Sequence, residues 1–389
     1  MRVWVAAGGT GGHLYPALAV VEALEQYGSD VSARFAVSRR GLEEKILGEA
    51  GRPFVALMTE GFHRREVVRN LLFGFRTIGG FLQSLAALLR FRPQVAFGTG
   101  GFISGPSLLA ARLLGVPIAL LALDAFPGAT IRLLSRHSRM IFISHEEARP
   151  HLSRRSEVIC TGIPVRQVDT IARNEARARF GLTPEGRLLF ITGGSQGSAR
   201  LNAATREALA HLLGIAELSI LWQTGTPHCE AIESGLADDQ FIDAARAAGR
   251  LVVKPYIEEM PAAWSAADLA LCRAGASTLA ELAGYGVPAL LVPLPTAAGD
   301  HQDANARAFT DAGAGRLIPD AHLDGVRLAT EVAALLAGDD ALERMRTAAR
   351  AQADTGAAAR VAAGLVTCAR GLSARERDDL LASFPEVPA

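Results

Sequence analysis

The chain has 389 residues, 49% hydrophobic and only 21% charged, which is apolar material for two folded domains and too much for a disordered chain. Forty basic residues balance forty acidic ones, so a protein held globally on nucleic acid is not expected. The four cysteines, Cys160, Cys229, Cys272 and Cys368, form no Cys-x-x-Cys pair, which fits a reducing compartment and gives no metal or disulfide framework.

The N-terminal stretch has one positive charge and a short apolar run that gives way to glycines, which is not a signal-peptide pattern. No run approaches the roughly 18 apolar residues that a spanning helix needs, so a cytoplasmic chain that does not cross a membrane is expected. The run 3–7 predicts a buried parallel strand, then a glycine turn and a helix with Pro16 in its first turn. Further strands are expected over 34–37, 94–98, 117–123, 140–144 and 157–161, with helices over 41–50 and 107–114. This alternation means βαβ units and a parallel sheet. The pattern restarts beyond Gly162-Ile163-Pro164, with strands over 187–192, 219–223, 251–254, 269–272 and 289–292. The expected class is α/β, with two doubly wound Rossmann-like domains over 1–163 and 164–344. Helices of about 345–371 return to the first domain, and 372–389 forms a tail without assigned function. Ligands of doubly wound sheets lie at the carboxyl ends of strands, so a cleft between the domains is the expected site.

Three glycine-rich segments follow strands. Gly8-Gly9-Thr10-Gly11-Gly12-His13 lets backbone approach a bulky ligand and leaves amides at a helix start. It is neither a dinucleotide fingerprint, because Leu14 replaces the third glycine, nor a P-loop, because no Lys follows. Gly98-Thr99-Gly100-Gly101, with Ser104 beyond it, is the second, and Gly193-Gly194-Ser195-Gln196-Gly197 is the third. Each also reads as a tight turn. His13 could act as a proton acceptor or be structural. Ser195 and Arg166 are candidates for phosphate oxygens. Glu281 lies a turn into a helix that begins near Ser277, where it could accept both hydroxyls of a ribose or simply favour the helix dipole. The polar run Asp300-His301-Gln302-Asp303-Ala304-Asn305 suits sugar hydroxyls or a helix cap. No Asp-x-Asp motif occurs, so no metal is required by the sequence, although Mg2+ remains compatible with it.

GGTGGH, GTGGFISGP, TGIPVR, GGSQGSARLN, WQTG, Tyr256-Ile257-Glu258-Glu259-Met260, CRAGASTLAE and DHQDANA stand in one order from Met1 to about Arg370. In that order they resemble the MurG family of UDP-N-acetylglucosamine:undecaprenyl-pyrophosphoryl-muramoyl-pentapeptide N-acetylglucosaminyltransferases. The resemblance implies a GT-B fold, its two domains facing across a cleft. It implies inverting transfer of GlcNAc from UDP-GlcNAc to lipid I, giving lipid II, hence a part in peptidoglycan synthesis, cell shape and division. It places Ile257 on the uracil, Glu281 on the ribose, and Arg166, Ser195, Ala276 and Ser277 on the diphosphate. Gln302 and Asn305 would read the sugar, and Thr10, Gly11 and Gly12 would line the donor. His13 would be the base, with Asp124 as the alternative, and Gly100, Gly101 and Ser104 would lie on the acceptor side.

The family usually carries His-Glu-Gln-Asn where this chain has Leu121-Ala122-Leu123-Asp124, and commonly Asn where it has Ile131. Over 67–81, Arg69, Leu72, Phe73, Phe75, Arg76, Ile78 and Phe81 mix basic and apolar residues. They suit docking on an anionic membrane surface, at the cytoplasmic face of the bacterial inner membrane, or an amphipathic core helix. A UDP-GlcNAc transferase with another acceptor, a UDP-GlcNAc 2-epimerase, and a non-catalytic UDP-sugar-binding protein remain alternatives.

Overall fold

The computed structural model describes residues 1–8, 11–28, 30–39, 42–59, 67–166, 171–295, 297 and 301–384. It divides into two compact units: Met1–Gln167 with Asp354–Ala389, and Val168–Ala353.

The first unit opens with β1 (Arg2–Ala7), α1 (Gly11–Tyr27), β2 (Ser32–Ser38), α2 (Leu42–Glu49) and β3 (Phe54–Leu57). There follow α3 (Val67–Phe91), β4 (Val95–Gly100), α4 (Gly101–Leu113), β5 (Ile118–Ala122), α5 (Ala129–Leu134), β6 (Met140–Ile143) and β7 (Glu157–Cys160). Its seven strands run parallel in the order β3-β2-β1-β4-β5-β6-β7. Each inner strand is apolar on both faces. Val3, Val5 and Phe97 point into one core, and Trp4, Ala96 and Leu120 into the other. Continuous apolar strands of this kind are what a sheet covered by helices on both sides requires.

The second unit holds α6 (Arg173–Arg179), β8 (Arg187–Thr192), α7 (Ala199–Gly214), β9 (Leu218–Gln223), α8 (Thr226–Leu236), α9 (Gln240–Ala247) and β10 (Leu251–Lys254). It continues with α10 (Met260–Ala266), β11 (Leu269–Cys272), α11 (Ala276–Tyr285), β12 (Ala289–Leu291), α12 (His301–Asp311) and β13 (Gly315–Leu317). It closes with α13 (Gly325–Leu336) and α14 (Asp339–Arg350). Its six parallel strands take the order β10-β9-β8-β11-β12-β13. Both sheets are therefore doubly wound, and their order reverses at β1/β4 and at β8/β11.

The chain then returns to the first unit with α15 (Ala357–Arg370) and α16 (Ala374–Leu381). Val361, Ala362, Leu365 and Val366 of α15 are buried in the first unit's core beside α1. The expected boundaries at 163/164 and 344/345 differ from those of the structure. Residues 345–353 stay with the second unit because α14 packs on α11 and α13. Beyond the return, Arg360 donates to the Thr161 carbonyl and pairs with Asp354. Residues 372–384 are folded as well. Ser373 makes a capping box with Glu376, and Phe384 stacks on Tyr27 at 4.3 Å.

Candidate active site

In the first unit the polar groups gather at the β1/β4 reversal, where the ladder shifts register between Ala6 and Ala7 so that Ala7 faces Gly100. The glycines there have a steric reason. Gly101 has φ +76, and a Cβ on it would lie 2.0 Å from the Gly8 carbonyl oxygen. Gly100 has φ +106, and its Cβ would stand 3.2 Å from Cε1 of His13. Only glycine lets these two backbones and the imidazole share the space.

Two segments expected as loops are helical sooner. α1 begins at Gly11, so Gly12 and His13 occupy its first turn, and α4 begins at Gly101 rather than near 107. The Ser104 hydroxyl is buried and donates to the carbonyls of Ala6 (2.9 Å) and Gly100 (2.5 Å). It therefore ties α4 to β1 inside the unit. Thr99 Oγ1 donates to the His13 carbonyl at 2.9 Å and fixes the start of α1 against β4.

His13 is half-buried, and its Nδ1 has no hydrogen-bond partner among the described residues. Burial pushes its pKa below the usual value, and the opposing influences of Asp124, the Thr99 backbone and Glu43 do not cancel this. The imidazole is thus neutral at pH 7 and carries a buried lone pair or N–H that the fold does not use. Asp124 sits in the bend after β5. The three residues before it, Leu121, Ala122 and Leu123, are core, so the departure from His-Glu-Gln-Asn carries the apolar interior up to the rim. Ile131 is buried and points at Gly100.

Sequence reasoning missed Glu43. It lies in the first turn of α2, is 4% exposed, accepts from Ser38 Oγ at 3.2 Å, and lies close to Gly8. Its partners are 5 and 35 residues away in the chain, so no local spacing marks it. Arg166 pairs with Glu22 of α1 at 2.8 Å, so its guanidinium is engaged within the first unit.

In the second unit Lys254, Gln223, Thr192, Cys272 and Leu291 stand side by side at the strand ends. The turn after β8 interlocks with the turn after β9. A Cβ on Gly197 would lie 1.9 Å from the Thr224 oxygen, and one on Gly225 would lie 2.3 Å from the Gln196 oxygen. Ser195, in the turn after β8, is half-buried.

The buried Gln223 amide joins three segments. It donates to Thr192 Oγ1 (2.9 Å) and the Gly194 carbonyl (3.1 Å), and its oxygen accepts from the Ile257 N–H (2.8 Å). Ile257 therefore has only its carbonyl to offer a ligand. Arg273 is a second brace that sequence reasoning left without a role. It reaches the carbonyls of Val292 and Pro293, Asp320 at 2.6 Å, and the α7 cap residue Ser198 at 2.8 Å.

α11 starts at Ala276 behind Gly275, a cap residue with no side chain to bond the first amides, and its helix start carries the positive end of the dipole that suits an anion. Ser277 is half-buried in the same turn. One turn on, Glu281 accepts from the Trp264 indole N–H at 3.0 Å. Burial pushes its carboxyl up to about 7, against the indole bond, which lowers it. Gln302 accepts from the Leu294 N–H at 3.0 Å. Asn305 is buried and donates one amide N–H to the Ala274 carbonyl at 3.2 Å, which binds α12 to the turn before α11 and keeps Oδ1 among the groups it can offer a sugar.

Thr10 and Asp300, and the side chains of Arg69, Leu72 and Phe73, lie outside the described residues. On α3, Phe75 (75% exposed), Ile78 (61%), Leu82 (56%) and Leu89 (55%) form an outward apolar stripe, whereas Phe81 packs on the core and leaves the expected docking set. Arg76 is half-buried. Among the described residues no helix is long and apolar enough to cross a membrane, and no group of three or more His, Cys, Asp or Glu could hold a metal ion.

The sequence profile of the glycosyltransferase family 28 N-terminal domain matches residues 3–172, and that of the family's C-terminal domain matches residues 188–361. The chain belongs to glycosyltransferase family 28. Within that family it is 39% identical over 358 residues to a Moorella thermoacetica protein, covering 92% of this chain and 96% of that one. That protein is named UDP-N-acetylglucosamine--N-acetylmuramyl-(pentapeptide) pyrophosphoryl-undecaprenol N-acetylglucosamine transferase. A Salinibacter ruber protein of the same name is 37% identical over 369 residues, covering 95% and 97%. The crystal structure of Acinetobacter baumannii MurG superposes with a TM-score of 0.65 at 28% identity, covering 94% of this chain and 99% of that one. A Listeria monocytogenes protein described as a UDP-N-acetylglucosamine 2-epimerase superposes with a TM-score of 0.69 at 14% identity, covering 96% and 97%, a likeness of fold alone. Two Rossmann-like units with parallel sheets are the GT-B architecture of family 28 glycosyltransferases.

Proposed function

We propose that this family 28 enzyme transfers GlcNAc from UDP-GlcNAc, with inversion, to lipid I, undecaprenyl-pyrophosphoryl-MurNAc-pentapeptide, giving lipid II for peptidoglycan synthesis. The observation that carries the reading is the second unit's rim, in a chain close in sequence to transferases of that name. A helix start at Ala276 and Ser277, with glycine at its cap position, has a carboxylate, Glu281, one turn behind it. That is an arrangement for a nucleoside diphosphate.

In this reading the Ile257 carbonyl accepts from the uracil, and Glu281 accepts from the ribose hydroxyls. Ser195 and the first amides of α11 bind the diphosphate, where Arg166 joins them if it leaves Glu22. Gln302 and the Asn305 oxygen meet the sugar. The acceptor oxygen bonds to the anomeric carbon as the carbon–phosphate-oxygen bond breaks, and UDP leaves with the electron pair. The acceptor proton passes to the His13 imidazole, which burial keeps neutral. Helix-start amides and Ser195 stabilise the charge growing on UDP, where one such donor is worth on the order of 100-fold in rate.

The exposed stripe of α3 supports peripheral attachment to the cytoplasmic face of the inner membrane, where a polyprenyl-linked acceptor resides. Incubation with radiolabelled UDP-GlcNAc and lipid I tests the whole reading. Label should move to the lipid. Release of free or epimerised sugar, or binding without turnover, would overturn it.

A further inference from the structure

Glu281 is the carboxylate that the UDP-sugar reading assigns to a ribose, and it is held from another element. Trp264 lies on α10, 17 residues earlier, and its Nε1–H reaches Glu281 Oε2 at 3.0 Å. The indole itself cannot turn. It is 2% exposed and meets Phe190 of β8 edge-on at 4.8 Å and 69°. A donor fixed this way holds one carboxylate oxygen and leaves the other to the ligand. We propose that Trp264 is a positioning residue for donor binding, its indole N–H aiming the Glu281 carboxylate at the paired hydroxyls of a ribose. This rests on the UDP-sugar reading given above.

The surroundings of Glu281 make the bond measurable. Burial, with a smaller contribution from Glu281, pushes the Cys272 thiol at the end of β11 up to about 12, so it stays uncharged. On the other elements packed against α11, Arg307 of α12 pairs with Asp303, and Arg350 of α14 lies against Gly286 at the far end of the helix. Desolvation raises the Glu281 pKa and the Trp264 N–H lowers it. Removing that N–H therefore raises the pKa further, and the carboxylate form that ribose hydroxyls need is lost at a higher pH.

The test is calorimetric titration of the full chain with UDP and with 2′,3′-dideoxy-UDP between pH 5.5 and 8.5. For the wild type, UDP affinity should fall as pH drops through about 7. Trp264→Phe keeps the ring packing and should weaken UDP about tenfold, the scale of a hydrogen bond to a charged group. Its pH midpoint should move upward, and its affinity for dideoxy-UDP should stay within about twofold. Equal losses for both nucleotides, an unmoved midpoint, or unchanged UDP affinity would overturn the proposal. A wild type that binds no UDP at pH 8 would instead overturn the donor reading.

Should Trp264→Phe not fold, the indole N–H resonances of the three tryptophans in the wild type decide the matter. Trp264 alone should titrate with Glu281 and lose that response when UDP is bound. A Trp264 signal indifferent to pH would overturn the proposal.

Discussion

A histidine that stays neutral below its usual range keeps its lone pair where ordinary imidazoles lose theirs. Because burial lowers the His13 pKa, kcat on saturating donor should hold as pH falls through the usual histidine range near 6.5 and decline only below it. His13→Ala should lower kcat about 100-fold or more and leave UDP affinity nearly intact, since Ile257, Ser195, Ser277 and Glu281, proposed above to hold UDP, belong to the second unit. If Asp124→Ala shows that signature and His13→Ala does not, the base is Asp124.

Glu281 makes the opposite demand. Its folded pKa of about 7 lies above the ordinary 4.5, so the fold prefers the protonated form. The stability this contributes is complete below about 4.5 and is lost as pH rises through about 7. Glu281→Gln should therefore melt at higher temperature than the wild type at pH 8, match it at pH 4.5, and bind UDP weakly at both. A lower melting temperature at pH 8 would show that the charge is compensated.

Among the elements, one buried amide, Gln223, joins β8, the turn after it and the segment after β10. Gln223→Leu keeps the bulk and leaves buried donors and acceptors unpaired. It should weaken UDP about tenfold or more and lower stability by about 1–3 kcal/mol. Titration calorimetry and thermal melts measure the two effects separately.

α3 calls for a milder change. Phe75→Ser with Ile78→Ser removes apolar surface already in water, so the melting temperature should not fall while sedimentation with anionic vesicles should. Equal sedimentation of both proteins would remove the stripe from the docking surface.

Most strands were legible because a strand covered on both faces is a continuous apolar run. β3 was not, since three of its four residues are at least partly exposed at the sheet edge, and β13 has only three residues. The full length of α3 was hidden by Gly74, Gly79 and Gly80, although Gly80 is there to let Thr59 approach: a Cβ would meet its Cγ2 at 2.3 Å. The glycine turns and Glu281 were visible as local spacing. The residues that hold them, Gln223, Trp264, Arg273 and Glu43, act across elements, and no short window of sequence records such a pairing.

At the scale of the whole molecule, the first unit is assembled from two separate stretches of chain. α15 supplies buried core to it, whereas the residues after Gly371 add α16, the Tyr27–Phe384 stack and the Arg377–Glu157 pair. A chain ending at Gly371 should remain soluble with a lower melting temperature. One ending at Ala353 should fail to fold its first unit and aggregate, as centrifugation and circular dichroism would show.

The same interruption imposes a timetable on synthesis. The second unit is one continuous stretch and can close as soon as it leaves the ribosome. The first, although made earlier, must wait with its α1 face uncovered until α15 has been translated. The nascent first unit is thus the part of the polypeptide with greatest need of a chaperone, and slowing translation between Asp354 and Arg370 should prolong that exposure.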